Sequence, residues 1–228
     1  RSSDLMTQID IQKPILDLND KLAQRNHELF NEKGVFVLDL MASPGAGKTS
    51  TILATIAGLR DRYKIAVIEG DIASRVDADK IKAHGIPAVQ INTGGACHLE
   101  SDMIKRAIDV LDLDNLDLII IENVGNLVCP SDFYLGEHAK VMILSVPEGH
   151  DKPYKYPNIF QISEAVILNK VDTMSVFDFN EEEFDGVVHS LNPKAPVFKI
   201  AATKGQGVDE WTDYLAKRIE EVRSRAQA

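Results

Sequence analysis

A chain of 228 residues, 44% of them apolar, suits one ordinary α/β domain and can bury a sizeable core without a second one. Its net charge of −10 leaves no basic stripe for a phosphodiester backbone, which argues against nucleic acid as a main partner. The longest apolar runs, such as Leu116 to Ile121, are strand-sized and too short for a membrane, and two cysteines outside any regular framework, with no secretory apolar region at the start, point to a reducing, cytoplasmic setting.

Residues 1–33 read as an N-terminal segment built on an amphipathic helix. Ile11, Ile15, Leu18, Leu22 and Leu29 recur at helical spacing with charge between them, and Gly34 ends the pattern. This apolar stripe is expected to pack on the rest of the protein, a partner helix being the other occupant it could accept. Residues 34–228 then alternate short β-branched runs with longer helical ones. The predicted strands are Val35–Leu40, Ile65–Glu69, Ala88–Ile91, Leu116–Ile121, Val141–Val146, Ala165–Leu168 and Val197–Ile200. The predicted helices are Lys48–Leu59, Ala78–His84, His98–Leu111, Glu181–Ser190 and Val208–Arg223. Continuous apolar strands separated by helices predict an α/β fold, a mostly parallel sheet with helices on both faces, whose ligands bind at the carboxyl ends of strands.

The first strand runs into Ala42-Ser-Pro-Gly-Ala-Gly-Lys-Thr and then a helix. In this P-loop, Gly45, Ala46 and Gly47 let backbone N–H groups close around phosphates, with Lys48, Thr49 and Ser50 opening the helix behind them. Lys48 would neutralise the β- and γ-phosphates, and the Thr49 hydroxyl would ligate Mg²⁺. Ala42 stands where the consensus prefers glycine, and a single methyl is tolerable there. Asn169-Lys-Val-Asp172 follows a later apolar strand. A carboxylate at Asp172 accepts from guanine N1–H and the 2-amino group together, whereas adenine would leave it unpaired, so GTP rather than ATP is expected. Asn169 would brace this loop and the Lys170 stem would cover the base, while Ile200-Ala-Ala-Thr-Lys-Gly-Gln-Gly resembles the GTPase loop whose backbone amide meets guanine O6, which points to Ala202.

Phosphoryl transfer also needs a metal-binding carboxylate and a group that orients water. Asp71 and Asp77 are assigned to the Mg²⁺ and water side, with Asp71 preferred; a solvated loop carboxylate is an equal reading for Asp77. Glu122-Asn-Val-Gly125 stands where a second switch is expected. Lys48, Asp71, Asp77 and Glu122 thus make up the expected catalytic set. Cys97-His98, at a predicted helix start, and Cys129, just past the second switch, offer thiolate and imidazole ligands that suit Ni²⁺, Zn²⁺ or Co²⁺. Composition alone favours buried structural cysteines beside a capping histidine, and the two readings stand side by side at this point.

Five stretches carry a resemblance: Ser43-Pro-Gly-Ala-Gly-Lys-Thr, Glu69-Gly-Asp-Ile, Asn92-Thr-Gly-Gly-Ala-Cys-His, Glu122-Asn-Val-Gly-Asn-Leu-Val-Cys-Pro and Glu148-Gly-His-Asp-Lys-Pro-Tyr-Lys-Tyr-Pro. With them, nearly the whole chain resembles the hydrogenase nickel-incorporation GTPases of the HypB family. The related urease accessory GTPases typically carry Cys-Pro-His, where this chain has Cys129-Pro130-Ser131. The resemblance implies a GTPase that helps deliver nickel to the hydrogenase large-subunit precursor and cycles between GTP and GDP. It also implies a homodimer when GTP-bound, with Cys97, His98 and Cys129 of both subunits forming a Ni²⁺ or Zn²⁺ site at the interface. Lys155 becomes a candidate for contacting nucleotide across that dimer, and the nickel chaperone HypA a partner near the N-terminal region. Some members carry an N-terminal cysteine-rich motif or histidine tract; these 228 residues hold neither, so tight nickel storage is not expected. Asp102 occupies a position where some relatives place a histidine near the metal. A GTP-gated dimeric scaffold with a structural zinc, nickel transfer being done by partners, is the alternative function.

Overall fold

The buried runs become seven parallel strands in the computed structural model, which describes residues 12–71, 81 and 83–227. They are β1 Phe36–Ala42, β2 Ile65–Asp71, β3 Ala88–Asn92, β4 Leu118–Glu122, β5 Ala139–Ser145, β6 Ala165–Asn169 and β7 Val197–Lys199. They pair in the order β3-β2-β4-β1-β5-β6-β7. The helices are α1 Gln12–Lys33, α2 Lys48–Leu59, α3 Ser101–Ile108, α4 Lys152–Lys155, α5 Pro157–Ile162, α6 Glu181–Leu191 and α7 Val208–Ala226. Of the helix predicted at Ala78–His84, Ile81 and Ala83 are helical and His84 is in a turn; the rest lies outside the described residues.

Strand alternation assigns the two faces of the sheet. Phe36, Leu38, Leu40 and Ala42 join Ile52, Ile56 and Leu59 of α2 and Trp211, Leu215 and Ile219 of α7 in one cluster. Val35 and Val37 point the other way, toward Phe30 of α1 and Ile104 and Ala107 of α3. Met41 shares that second side with Phe160 of α5 and Phe184 of α6. Each fully buried Val, Leu, Ile, Phe or Met among them contributes about 1.5–3 kcal/mol of apolar transfer free energy, so the burial that continuous apolar strands foretell is the main force favouring this α/β fold.

The predicted stripe is only partly the face that α1 buries: Leu22 and Leu29 are half-buried, Leu29 against the core, while Ile11 and the Ile15 side chain lie outside the described residues. Leu18 is 62% exposed, and the buried positions are Asn19, Ala23, Asn26 and Phe30. Hydrogen bonding explains how amides displace leucine there. Asn19 Oδ1 accepts from Ser101 N at 2.9 Å and its Nδ2 donates to Tyr134 O at 2.7 Å. Asn26 Nδ2 lies 3.0 Å from Ser101 O and 3.2 Å from Leu135 O. The helix thereby fixes the start of α3 and the chain before β5. Gly136, at φ 98, is required at that crossing, because a Cβ would stand 2.7 Å from Ala23 O. Helices α4 and α5 are not among the predicted elements. Their prolines, Pro153 and Pro157, read as breakers but sit in the first turn of each helix, where proline's missing N–H is harmless.

His138 sits at the same crossing. Val37 N donates to its Nδ1 at 3.0 Å, and the ring packs against His27 and Phe36 at centroid distances of 4.7 and 5.3 Å. Burial, and then the like charges of His27, Arg218 and Arg225, push its pKa down to about 3. The unfolded chain therefore binds the extra proton first, and stability falls as pH drops below about 6.5 toward that folded value. In urea titrations, His138→Asn, which keeps an acceptor for Val37 N, is expected to lose about 1–2 kcal/mol less than wild type between about pH 7 and pH 5. Parallel acid limbs in the two proteins would reject this role.

Candidate functional site

The carboxyl ends of β1, β2, β4, β5 and β6 converge where the sheet's winding reverses. The loop leaving β1 turns on Gly45 at φ 80 and Gly47 at φ 98, and Gly47 caps α2. Ala46 is fully buried, while Lys48, Thr49 and Ser50 are half-buried at the helix start. Thr49 Oγ1 donates to Glu122 Oε1 at the end of β4 at 3.0 Å. That bond commits the hydroxyl proton and leaves the oxygen's lone pairs for a cation.

The Asn169-Lys-Val-Asp172 loop is fastened to the P-loop. Asn169 Nδ2 donates to Ala46 O at 3.0 Å, and Lys170 Nζ donates to Gly45 O at 2.7 Å. Asn169 Oδ1 accepts from Lys170 N and from Ala202 N, at 2.8 and 3.2 Å. One amide thus ties three separate segments, and the Ala202 amide expected at guanine O6 is here turned toward Asn169. Any side chain at Gly47 would stand 2.4 Å from Asn169 Nδ2. Lys170 is the single non-glycine residue with positive φ among the described residues, at 61°, a strained conformation of the kind held at ligand sites. Asp172 follows on a short turn, its Oδ2 2.9 Å from Lys204 Nζ. Lys204, which no motif singles out, is the cation a base edge would meet beside that carboxylate.

Asp71 ends β2, its backbone registered with Asn92 of β3, and Asp77 lies outside the described residues. Glu69 and Glu122 occupy partnered positions on β2 and β4, and both are buried. Glu69, which the sequence offers without a role of its own, is therefore a second carboxylate beside the switch. Glu148 also gains a role from the structure. It accepts from Ser145 N and Oγ at 2.8 and 2.7 Å, and its other oxygen accepts from Ser43 Oγ at the head of the P-loop. The Ser145-Val-Pro-Glu148 capping box is the sequence signal for it. Lys155 lies on α4, 59% exposed, with its ammonium on Asp151 one turn earlier rather than on the P-loop of its own chain.

Cys97, His98 and Cys129 meet. One ligand atom from each lies within 4.8 Å of the others, with Cys97 Sγ 3.0 Å from Cys129 Sγ and 3.6 Å from His98 Nδ1. Metal–sulfur bonds of about 2.3 Å hold two thiolates roughly 3.3–3.8 Å apart across a square-planar or tetrahedral ion, so a cation requires an opening of less than about 1 Å. The cysteines are not the buried structural pair that composition favours: Cys97 is exposed and Cys129 half-buried. Cys97 and His98 do not open the predicted helix, because α3 starts only at Ser101 and both lie in the bend before it, whereas Cys129 begins a short 3-10 turn, Cys129–Asp132. The Cys129 hydrogen bond, then burial, hold the Cys97 thiol above its ordinary pKa. His98 stacks on Phe133 at 3.7 Å, and its Nε2 lies 3.5 Å from Glu100 Oε1 without hydrogen-bond geometry. A carboxylate behind the second nitrogen orients a ligating imidazole. Asp102 is exposed in the first turn of α3 and outside this set.

The segment joining the two sites is held from both sides. Gly125 admits Pro44 so closely that a Cβ would fall 2.9 Å from its Cγ. Asn126 N donates to Ala42 O at 2.9 Å. Behind it, buried Asn123 donates to Asp39 at 3.0 Å, and Asp39 pairs with Lys140 at 2.8 Å. Lys140 also contacts Glu137, Phe133 O and Pro130 O, at 3.2, 2.9 and 3.3 Å. Burial alone would pull the Lys140 ammonium down, but Asp39 and Glu137 raise it, so the charge is kept.

Residues 36–199 match the model of the CobW/HypB/UreG nucleotide-binding domain. The hydrogenase maturation factor HypB of Escherichia coli strain K12 is 44% identical over 207 residues, covering 91% of this chain and 71% of that protein. The crystal structure of HypB from Helicobacter pylori in complex with nickel superposes with a TM-score of 0.85 at 40% identity, covering 90% of this chain and 96% of that one. The HypB structure from Archaeoglobus fulgidus gives 0.84 at 35% identity, over 90% of this chain and all of that one.

Proposed function

This chain belongs to the HypB maturation factors of the CobW/HypB/UreG family, and we propose that it is a GTP-hydrolysing metallochaperone that assists nickel insertion into nickel–iron hydrogenase. The observation that carries this reading is the convergence of Cys97, His98 and Cys129 on the segment that continues from Glu122-Asn-Val-Gly125. Lys48 and the P-loop amides hold the β- and γ-phosphates. Thr49 and Asp71 would hold Mg²⁺, which would screen charge on the transferred phosphoryl group, and the Thr49–Glu122 bond commits the threonine proton so that its oxygen lone pairs are free to ligate. Asp77 and Glu122 supply the water side of the site. Asp172 reads guanine, with Asn169 bracing the loop, the Lys170 stem covering the base and the Ala202 backbone amide meeting guanine O6.

Nickel is the cargo. Three ligands in one chain leave an open or subunit-shared coordination position, as a delivery site needs. In the GTP-bound state the protein forms a homodimer in which Lys155 reaches the partner's nucleotide; its exposure on α4 supports this placement. HypA and the hydrogenase large-subunit precursor are the expected donor and recipient. Among the described residues no helix is long and apolar enough to cross a membrane.

A second reading has one observation in its favour. Two thiols 3.0 Å apart are as good a start for a zinc site as for a nickel one, so the cluster would serve as a structural clamp in a GTP-gated scaffold. Nickel affinity measured with a non-hydrolysable GTP analogue and with GDP separates the two. A delivery switch predicts roughly 5- to 150-fold between the states, the usual span of allosteric coupling. Equal affinities would sink it.

A further inference from the structure

We propose that Asn126 is the positioning residue through which the nucleotide sets the geometry of the thiol pair. The inference rests on the metallochaperone reading and assigns its internal linkage. Three polar groups of this residue are spent on three different segments. Its N–H is on Ala42 O, the last residue before the P-loop turn. Its Nδ2 donates to the carbonyl of Cys97 at 3.2 Å. Its Oδ1 accepts from Val128 N, the residue before Cys129, at 2.9 Å. One planar amide therefore spans both cysteine segments while its backbone is pinned to the phosphate cradle.

The surroundings make this amide the adjustable member. On its N-terminal side, Gly125 packs against Pro44 with no room for a methyl group, so a shift of the P-loop rim is passed to residue 126 instead of being absorbed. On its C-terminal side, the chain after Cys129 is anchored to the core by Lys140 at Pro130 O and Phe133 O, and Lys140 is buried against Asp39 and Glu137. Cys129 thus lies between a fixed anchor and a link that follows the phosphate loop. The thiol separation needs to change by less than about 1 Å to make or lose a chelating pair. A carboxamide bonded to the backbone of both cysteine segments has the reach to impose that change, and linkage requires nickel to alter nucleotide affinity by the same factor.

The test titrates Ni²⁺ into the full chain with Mg²⁺ and either GDP or a non-hydrolysable GTP analogue, read by thiolate-to-nickel charge-transfer absorption. Asn126→Ala removes both side-chain bonds. Asn126→Asp keeps the acceptor for Val128 N and loses the donor to Cys97, so it serves if the alanine variant does not fold. Wild type is expected to show the several-fold ratio between nucleotide states. The variants are expected to bring that ratio to within about twofold of unity, while nucleotide affinity without metal stays within about threefold of wild type. The reciprocal measurement, binding of a fluorescent GTP analogue with and without Ni²⁺, should lose its metal dependence in parallel. A wild-type ratio that survives in a folded variant overturns the role of Asn126 alone. A ratio of one in wild type removes the delivery-switch reading and this proposal with it.

Discussion

Asn in place of Asp172 is expected to lower the preference for GTP over other nucleoside triphosphates by roughly 100-fold or more, because a buried donor–acceptor mismatch is what enforces base choice. The carboxylate can accept two N–H groups from the edge of guanine, whereas a carboxamide presents one acceptor and one donor. The donor then faces the 2-amino group, and xanthine, with a carbonyl at that position, becomes the better fit. The substitution also breaks the Asp172–Lys204 ion pair, in which the lysine is 64% exposed. A pair that open to solvent contributes only about 0–1 kcal/mol, so the variant should fold and the change should be confined to base selection. Competition of GTP, XTP and ATP against a fluorescent guanine nucleotide measures it. Unchanged preference for GTP would reject Asp172 as the reader.

What is legible in the chain follows what each signal depends on. The strands are legible because period and apolarity are local, and each predicted run overlaps its strand. The helix Lys48–Leu59 is readable to the residue, since Gly47 stops the loop and the helix begins at once. In α1 the same reasoning places the face only in part, since Leu18 is exposed and Leu22 and Leu29 are half-buried. Leucine spacing cannot reveal that Asn19 and Asn26 have carbonyl and amide partners about 75 to 115 residues away, and those partners decide which side is buried. Residue types likewise nominate Cys97, His98 and Cys129, but their meeting depends on the loop after β3 lying beside the loop after β4, a fact of topology. Glu69 and Glu148 stand in stretches the sequence does offer, but the partners that give them a role, Glu122 beside one and Ser43 beside the other, come from the fold, as does the pairing of Lys204 with Asp172.

Serine at Cys129, or at both cysteines, is expected to reduce nickel affinity by roughly 100-fold or more, the largest effect that any conservative change in the chain should have on metal binding. A hydroxyl is close in size to a thiol, but it is not deprotonated at neutral pH and is a poor donor to a borderline-soft ion. Removing a group that only orients a ligand already costs about 10- to 100-fold, so losing a ligand atom itself should reach or exceed that range. Cys97 is exposed and Cys129 half-buried, and neither lies in the three apolar clusters, so stability should change by no more than about 0.5 kcal/mol. GDP binding should be untouched, because Thr49, Asn169 and Asp172 make no contact with either thiol. The single and double variants carry the sharper information. In a chelating site the second loss adds little once the first has broken it, whereas two independent thiols would lose affinity in two comparable steps. Competition with a chromogenic chelator resolves the two patterns, and nickel affinity within about threefold of wild type in Cys129→Ser would show that the cluster is not where the cargo binds.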